Sequence, residues 1–207
     1  MTDMEWSALR QSVAAQLSDY RMAHTLGVEQ MALRLAALYC PEKADVLRAA
    51  ALLHDLTKEL TEGEQEAVFA AHSVALRPDE QASPQVWHGM TAALVIPQRY
   101  PDLADPELIS AIRWHTTGRA GMTLTEALLF LADYIEEGRC FADCVALRKA
   151  FFDAEPEHME MPARRRHLHR ILLQYYENML SRLRERGGVI CLDSLAAGED
   201  LKNRTDF

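Results

Sequence analysis

The chain has 207 residues, which corresponds to one good-sized domain or to a domain with a small appendage. Apolar residues make up 49% of it, so a sizeable core is available and disorder over the whole chain is not expected. The net charge of −9 argues against a broad nucleic-acid-binding face, which needs clustered Lys and Arg. A small anionic substrate remains compatible, because metal ions and a few cationic side chains can oppose the global charge within one pocket.

The sequence shows neither a membrane segment nor an export signal. No apolar run reaches the roughly 18 residues that a membrane-spanning helix needs. The first residues, MTDMEWSALRQ, lack the basic start and apolar stretch of a signal peptide. We therefore expect a cytoplasmic protein with no membrane partner and no nucleic-acid partner. The cysteines lack CxxC spacing, which predicts reduced core thiols at Cys40, Cys140, Cys144 and Cys191.

Apolar residues recur at intervals of three and four along almost the whole chain, which predicts an all-α fold. Several predicted helices begin with a recognisable cap. A threonine followed three residues later by glutamate indicates a capping box at Thr2, Thr61 and Thr123. A cap followed by proline indicates two further starts, at Ser83-Pro84 and Asp105-Pro106.

These signals predict helices in nearly every part of the chain. The predicted spans are 3–17, 19–39, 42–57, 62–72, 84–97, 106–116, 124–138, 141–153 and 163–186. Gly187-Gly188 is expected to end the last helix. The segment 154–162 is the best hinge, and the tail 189–207 is expected to be polar and irregular.

Six side chains suited to metal ions are embedded in these apolar helices. His54 and Asp55 are adjacent in the run AALLHDLTKEL, at the polar end of one helix. Burying this pair costs free energy unless a partner satisfies it, and a metal ion is a common strong partner. The other four residues are His24, His88, His115 and Asp133. Since each lies about one helix and a loop from the next, they converge only if the helices pack around a common centre.

The chemistry of this set favours a particular class of metal site. Imidazole nitrogens and carboxylate oxygens, without thiolate, suit Fe, Mn, Co, Ni or Zn better than Cu(I) or an iron–sulfur cluster. Six ligands exceed what one catalytic ion needs, so two ions bridged by Asp55 are the economical arrangement. A water or hydroxide between two such ions would have a strongly lowered pKa and would be a nucleophile at neutral pH.

A structural role is the alternative for each residue taken singly. A lone histidine on an apolar helix is more often a hydrogen-bonded core residue than a ligand. Asp133 is harder to explain in this way, because it lies in LFLADYIEE with no Lys or Arg three or four residues away. The six together favour the metal site. The remaining histidines lie in polar or basic surroundings and are expected on a solvated surface: His72, His158, His167 and His169.

The pattern H…HD…D, carried by His24, His54-Asp55 and Asp133, resembles the signature of HD-domain phosphohydrolases. The segments RMAH, AALLHDLTK, WHG, AIRWHTTG and LADYIEEGRCF look like the YqeK-type subfamily of symmetrical bis(5'-nucleosyl)-tetraphosphatases, over roughly residues 15 to 195. The resemblance implies an all-α HD fold, a two-metal centre usually taken as di-iron, and hydrolysis of diadenosine tetraphosphate to two ADP. The ligands that it implies are His24, His54, Asp55, His88, His115 and Asp133.

We accordingly expect three parts in the chain. These are an N-terminal helix (1–17), an HD metal-dependent phosphohydrolase core (18–153), and a C-terminal helix and tail packing on the core (154–207). The long C-terminal helix either lines a homodimer interface or caps the bundle.

A polyphosphate substrate also needs cationic groups near the metals. Lys58 follows His54 by four residues, so it is expected on the same helix face, where it would stabilise charge in catalysis. The alternative is a surface lysine at a helix end. Arg139 is expected to clamp a phosphate, with an ion pair to Glu136 as the alternative, and Arg21 either contacts phosphate or supports a ligand.

The loop after His115 offers further contacts to phosphate. Backbone N–H groups at Thr116 and Gly118 could meet phosphate oxygens, since glycine permits close approach. One ADP unit would lie beside the metals and the other would project outward. Adenine would stack on Trp87, Trp114 or Tyr134, unless these side chains pack in the core.

Two other functions remain open from the sequence. The first is another HD phosphohydrolase, acting on nucleoside mono- or polyphosphates. The second is a non-catalytic nucleotide-binding module on the same scaffold. The complete set of ligand residues favours the enzyme.

Overall fold

Helices account for nearly all the regular structure in a computed structural model that describes residues 1–185, 187, 189–205 and 207. No strand occurs in this described part of the chain, which confirms the predicted all-α class. The helices are α1 (Asp3–Ala14), α2 (Asp19–Tyr39), α3 (Ala44–Leu53), α4 (Glu62–Ala71), α5 (Pro78–Gln81), α6 (Trp87–Arg99), α7 (Pro106–Trp114), α8 (Leu124–Ile135), α9 (Ala142–Phe152), α10 (Met161–Glu185) and α11 (Leu192–Asn203).

The predicted capping boxes form at all three threonines. The hydroxyls of Thr2 and Thr61 accept the amide three residues on at 3.3 Å, and that of Thr123 does so at 3.2 Å. Asp105 caps α7, because its carboxylate accepts two amides of the first turn. Each such cap stabilises its helix by about 1 kcal/mol. Ser83 precedes a 3₁₀ turn, Pro84–Val86, with proline at its first position as predicted, but its side chain makes no capping hydrogen bond and α6 begins only at Trp87.

Helices α2, α3, α7 and α8 form the centre of the bundle. Helix α2 packs on both α3 and α8, while α7 packs on α3, α6 and α8. Every residue of α8 from 125 to 132 is buried, and six of these eight residues are apolar. A helix that is apolar all round is stable only when neighbours cover it. This arrangement brings the ends of α3, α7 and α8 together at one side of the core.

The C-terminal tail differs from the prediction. Residues 189–207 were expected to be irregular, but Leu192–Asn203 forms α11, which packs on α10. His169 Nε2 lies 2.7 Å from the carbonyl of Leu201, and His167 Nε2 lies 2.9 Å from the carbonyl of Phe151. Both histidines are buried rather than solvated, because a backbone carbonyl satisfies each ring. His158 is exposed as predicted, and His72 is half-buried.

Specific contacts hold helix α1 and the segment 154–162 in place. Helix α1 buries Trp6, Leu9 and Val13, and it ends at Ala14 rather than at residue 17. The predicted hinge, 154–162, is held by Arg164, whose guanidinium donates to backbone carbonyls of this segment. Gly188, expected to help end α10, lies outside the described residues.

Two further expectations concern membrane-spanning helices and the cysteines. None of the helices in the described ranges is both long and apolar enough to cross a bilayer. All four cysteines are free thiols, and three of them are buried as expected. Cys140 differs, because it is exposed in the turn between α8 and α9.

Candidate metal centre

The six predicted ligand residues converge at one buried place in the bundle. His24 lies in α2, His88 in the first turn of α6, and Asp133 near the end of α8. His54 and His115 each follow directly after the last residue of a helix, α3 and α7. As whole residues, His54, Asp55, His88 and His115 are all at most 3% exposed.

Asp55 lies between two groups of imidazoles. Its Oδ2 is 3.5 Å from His54 Nε2 and 3.8 Å from His24 Nε2. Its Oδ1 is 3.3 Å from His88 Nε2 and 3.8 Å from His115 Nε2. Each carboxylate oxygen therefore faces its own pair of ring nitrogens, as a carboxylate that bridges two cations must do.

Asp133 completes the group of side chains around Oδ2 of Asp55. Its Oδ1 lies 2.9 Å from His24 Nε2 and 3.9 Å from His54 Nε2. The ligand atoms of His24, His54 and Asp133 all lie within 4.8 Å of one another, as do those of His54, Asp55 and His115. The Nε2 atom of His54 is buried without a hydrogen-bond partner. Because an unsatisfied buried polar atom costs about 1–3 kcal/mol, this nitrogen fits a ligand of a metal ion.

Contacts at the other ring nitrogen fix the orientation of the imidazoles. His54 Nδ1 donates to the carbonyl of Ala51 at 2.7 Å, and His115 Nδ1 donates to that of Ile112 at 2.7 Å. A carbonyl only accepts, so each Nδ1 carries the proton and each Nε2 presents its lone pair to the centre. His24 Nδ1 lies 3.1 Å from the carboxylate of Glu136, which gives this ring the same orientation.

Glu136 is a residue of the centre that the sequence reasoning missed. It is 2% exposed, and its carboxylate accepts the amide of Gly138 at 2.5 Å as well as facing His24. Two glycines make room for it: a Cβ at Gly27 would overlap its Oε2, and one at Gly138 would lie 2.9 Å from that atom. The usable signal was a glycine three residues after His24, on the same face of α2.

The electrostatics of the centre keep most of the predicted ligand residues in the protonation state that metal binding needs. Burial lowers the pKa of His54 to about 4, so its imidazole is neutral at pH 7. Burial alone would raise the pKa values of Asp55 and Asp133, but the neighbouring histidines hold both below the usual range. At Asp133 the guanidinium of Arg139 lowers the pKa further. For His24, burial is outweighed by Asp133 and Glu136, which raise its pKa to about 9. Metal binding at His24 must therefore displace a proton near neutral pH.

Lys58 reaches the centre from a turn rather than from a helix. Helix α3 ends at Leu53, so the predicted helix through 57 is wrong, and the amide of Lys58 donates to the carbonyl of Asp55. Its Nζ nevertheless lies 3.2 Å from His88 Nδ1. Burial lowers the pKa of Lys58. The buried Thr57 beside it donates to the carbonyl of His88 at 2.9 Å, and so ties this turn to α6.

Two arginines pair with the carboxylates of the centre. Arg21 Nη1 lies 2.7 Å from Asp55 Oδ2, and Arg139 Nη2 lies 2.5 Å from Asp133 Oδ1. The alternative ion pair of Arg139 with Glu136 is wrong, because α8 ends at Ile135 and the chain turns Arg139 back toward Asp133. Both arginines and Lys58 line a cavity of about 270 Å³ that opens on the centre.

The loop after α7 places a threonine hydroxyl, rather than the amide of a glycine, at the centre. Thr116 lines the same cavity, and its hydroxyl lies 3.2 Å from Nε2 of both His88 and His115. The amide of Gly118 instead donates to the carbonyl of Trp114, so it is not available to a phosphate. Gly118 has φ +64°, and a Cβ there would overlap the hydroxyl of Tyr176. Glycine is therefore needed at this position for the backbone conformation of the turn and for its close contact with Tyr176.

Only one of the three aromatic residues considered for adenine lies at the cavity. Tyr134 lines it, together with Phe130 and Tyr175. Trp87 is buried against Phe69, and its indole donates to the carbonyl of Glu80. Trp114 lines a different groove. The two tryptophans are therefore not part of the site.

Comparison with known proteins agrees with this geometry. The HD domain family matches residues 21–138. The "Bis(5'-nucleosyl)-tetraphosphatase, symmetrical" of Bacillus subtilis (strain 168) is 34% identical over 139 residues, which is 66% of this chain and 72% of that protein. The protein of the same name from Staphylococcus aureus is 35% identical over 60% of this chain and 62% of its own length.

A solved structure extends the likeness to nearly the whole chain. It is described as a predicted HD superfamily hydrolase involved in NAD metabolism, from Clostridium acetobutylicum, and superposes with a TM-score of 0.81 at 27% identity. The match covers 96% of this chain and 97% of that one. The chain thus belongs to the HD-domain family and, within it, to the family of the symmetrical bis(5'-nucleosyl)-tetraphosphatases.

Proposed function

We propose that this protein is a metal-dependent hydrolase that cleaves diadenosine tetraphosphate symmetrically to two ADP. The observation that carries the proposal is the position of Asp55, whose two oxygens face separate pairs of imidazoles in a chain related to enzymes of that name. A complete set of converging ligand residues favours an enzyme over a non-catalytic nucleotide-binding module.

The residues of the centre fit two metal ions. His24, His54 and Asp133 would hold one ion with Asp55 Oδ2, and His88 and His115 would hold the other with Asp55 Oδ1. We infer that the ions are iron, as the resemblance to the family implies. The ligands are imidazole and carboxylate without thiolate, a set that suits Mn, Co, Ni or Zn equally and leaves these as alternatives. When bound, two such ions supply Lewis-acid activation of phosphate and water.

The other residues of the cavity would bind the polyphosphate and stabilise charge. Arg21 and Arg139 present planar guanidinium groups, which can bind phosphate oxygens in bidentate fashion. Lys58 and Thr116 approach from the side of His88, where an ammonium and a hydroxyl can donate to a phosphoryl oxygen. Phe130, Tyr134 and Tyr175 also line this cavity, and their rings would exclude bulk water from part of it.

The size of the cavity supports cleavage of an elongated substrate. At about 270 Å³ it falls below the roughly 300–1,000 Å³ that is usual for sites enclosing a whole small molecule. One ADP unit at most would lie beside the metals, and the second would extend beyond this cavity. Attack near the middle of the tetraphosphate then releases two equal halves.

Product analysis tests the proposal directly. Protein purified without oxygen and analysed for metal should contain two ions per chain and convert diadenosine tetraphosphate to ADP alone. Appearance of ATP with AMP would contradict symmetrical cleavage. Release of orthophosphate from nucleoside monophosphates, with the dinucleotide untouched, would favour another HD phosphohydrolase. Asp55→Asn should lose activity, whereas the control Asp45→Asn, at a side chain 64% exposed, should keep it.

A further inference from the structure

A second cavity lies beside the metal centre. Its volume is about 460 Å³, within the usual range for small-molecule sites. It shares the side chains of Arg21 and Arg139 with the smaller cavity, and His24 also lines it. A chain of phosphates bound to these two arginines would therefore have one cavity at each end.

Two exposed aromatic side chains border this second cavity. Tyr20, in the first turn of α2, is 77% exposed, and Phe141, just before α9, is 66% exposed. The chain has 3 Trp, 6 Tyr and 6 Phe, and every other one is buried or half-buried. Single exposed apolar residues are ordinary, but here the two exposed aromatic residues come from distant segments and line one cavity.

We propose that Tyr20 and Phe141 bind the nucleobase of the ADP unit that extends from the metal centre. The inference rests on the proposed function and names the second half of its substrate site. A base is flat and uncharged, and aromatic side chains stack on it without regard to its hydrogen-bonding edge. The adjoining arginines carry the charge that the phosphates of the same unit require.

The position of Arg21 supports binding of the base by the aromatic side chains and of the phosphates by the arginines. Its guanidinium lies 5.9 Å from the centre of the Tyr20 ring and 2.7 Å, at Nη1, from Asp55 Oδ2. One residue thus connects the aromatic border of the second cavity with the metal centre. A substrate spanning both would have phosphates at Arg21 and a base against Tyr20.

Kinetics of single variants give the first test. Tyr20→Ala and Phe141→Ala should each raise KM for diadenosine tetraphosphate by about 5- to 150-fold, as expected for the loss of one stacking contact. The value of kcat should stay within about twofold, because the metal centre is intact. Tyr20→Phe and Phe141→Tyr, which keep the ring, should restore KM. Met4→Ala removes an exposed apolar side chain on α1 and is the matched control.

Alkylation of Cys140 gives a test that does not depend on turnover. Cys140 lines the second cavity and is exposed, whereas the other three thiols are buried. Iodoacetamide should modify it more slowly in the metal-loaded protein when diadenosine tetraphosphate with a methylene group in place of the central bridging oxygen is bound. Tripolyphosphate, which has no base, should not protect. In Phe141→Ala, protection should need at least fivefold more analogue.

The outcomes separate the two proposals. If the analogue inhibits hydrolysis competitively but leaves the rate of Cys140 alkylation unchanged, the base lies elsewhere and this inference is overturned, although the proposed function stands. If Tyr20→Ala or Phe141→Ala instead changes the molecular mass in solution without raising KM, the two rings cover a partner chain and the inference is equally overturned. If the dinucleotide protects Cys140 but is not cleaved to ADP, the proposed function fails and the base site remains.

Discussion

Replacing Gly27 by alanine should weaken metal binding although residue 27 touches no metal. Gly27 lies within α2, where alanine would ordinarily stabilise the helix by about 0.5–1 kcal/mol. The new Cβ would overlap Oε2 of Glu136, which is 2% exposed and cannot move into solvent without leaving its partners. Those partners are the amide of Gly138 and the ring of His24.

The magnitude follows from the contacts that Glu136 would lose. Hydrogen bonds to a charged group contribute about 1.5–3 kcal/mol, so the loss exceeds the gain in helix propensity by about 1–2 kcal/mol. For a chain of this size, Tm of the metal-free protein should fall by roughly 2–8 °C. Loss of the partner that orients a ligating histidine typically lowers metal affinity about 10- to 100-fold.

Gly63 provides the matched control. It lies in α4, and a Cβ added there meets nothing within 4 Å. Gly63→Ala should therefore leave metal affinity unchanged and raise Tm by up to about 4 °C. Metal affinity is measured by competition with a chelator, and Tm by circular dichroism after metal removal. If Gly27→Ala is stabilised like Gly63→Ala and binds metal with unchanged affinity, the role assigned to Glu136 is refuted.

Three further predictions concern the metal centre. His54→Ala and Asp55→Ala should abolish hydrolysis and leave the helical circular dichroism spectrum intact; turnover equal to that of the unaltered protein would contradict the metal mechanism. Removing metal with a chelator should lower Tm, because an ion at 100 times its Kd stabilises the fold by about 2.7 kcal/mol, and an unchanged Tm would argue against bound metal. Since His24 has a raised pKa of about 9 and must lose a proton to bind, apparent metal affinity should rise about tenfold per pH unit from pH 7 toward 9, and should then level off. Glu136→Gln should shift that plateau to lower pH, and a titration curve that does not shift would exclude Glu136 as a cause.

The sequence was sufficient for the helical class and for most helix starts, because these depend on local chemistry. A threonine and a glutamate three residues apart form a capping box whatever the rest of the fold does, as at Thr61 and Thr123. The convergence of six polar side chains in apolar helices was also predictable, since burial leaves them few other partners. Their role as ligands is inferred from geometry and remains a prediction that the metal analysis tests.

The features that the sequence did not predict, such as the buried histidines of α10 and the role of Glu136, depend on contacts between residues distant in the chain. His167 and His169 are buried because carbonyls of Phe151 and Leu201 satisfy their rings, and no local pattern announces such a carbonyl. Glu136 is separated from His24 by 112 positions, so its role appears only when α2 and α8 pack together. Helix α11 was missed because its apolar residues are few.

The same arrangement of a histidine directly after a helix end occurs twice in the centre. At the C-terminus of a helix the last carbonyls have no amide partner within the helix. His54 and His115 each follow such an end, and each donates Nδ1–H to the carbonyl three residues back. One imidazole thus gives a carbonyl of the last turn a side-chain donor and at the same time turns its Nε2 inward. The negative ends of the α3 and α7 dipoles also lie at the centre, where they favour cations. Helix α6 instead begins there, so its positive end lies next to His88 and favours the phosphate. The packing of three helix ends therefore sets up the separation of charge that metal-assisted hydrolysis of an anionic substrate requires.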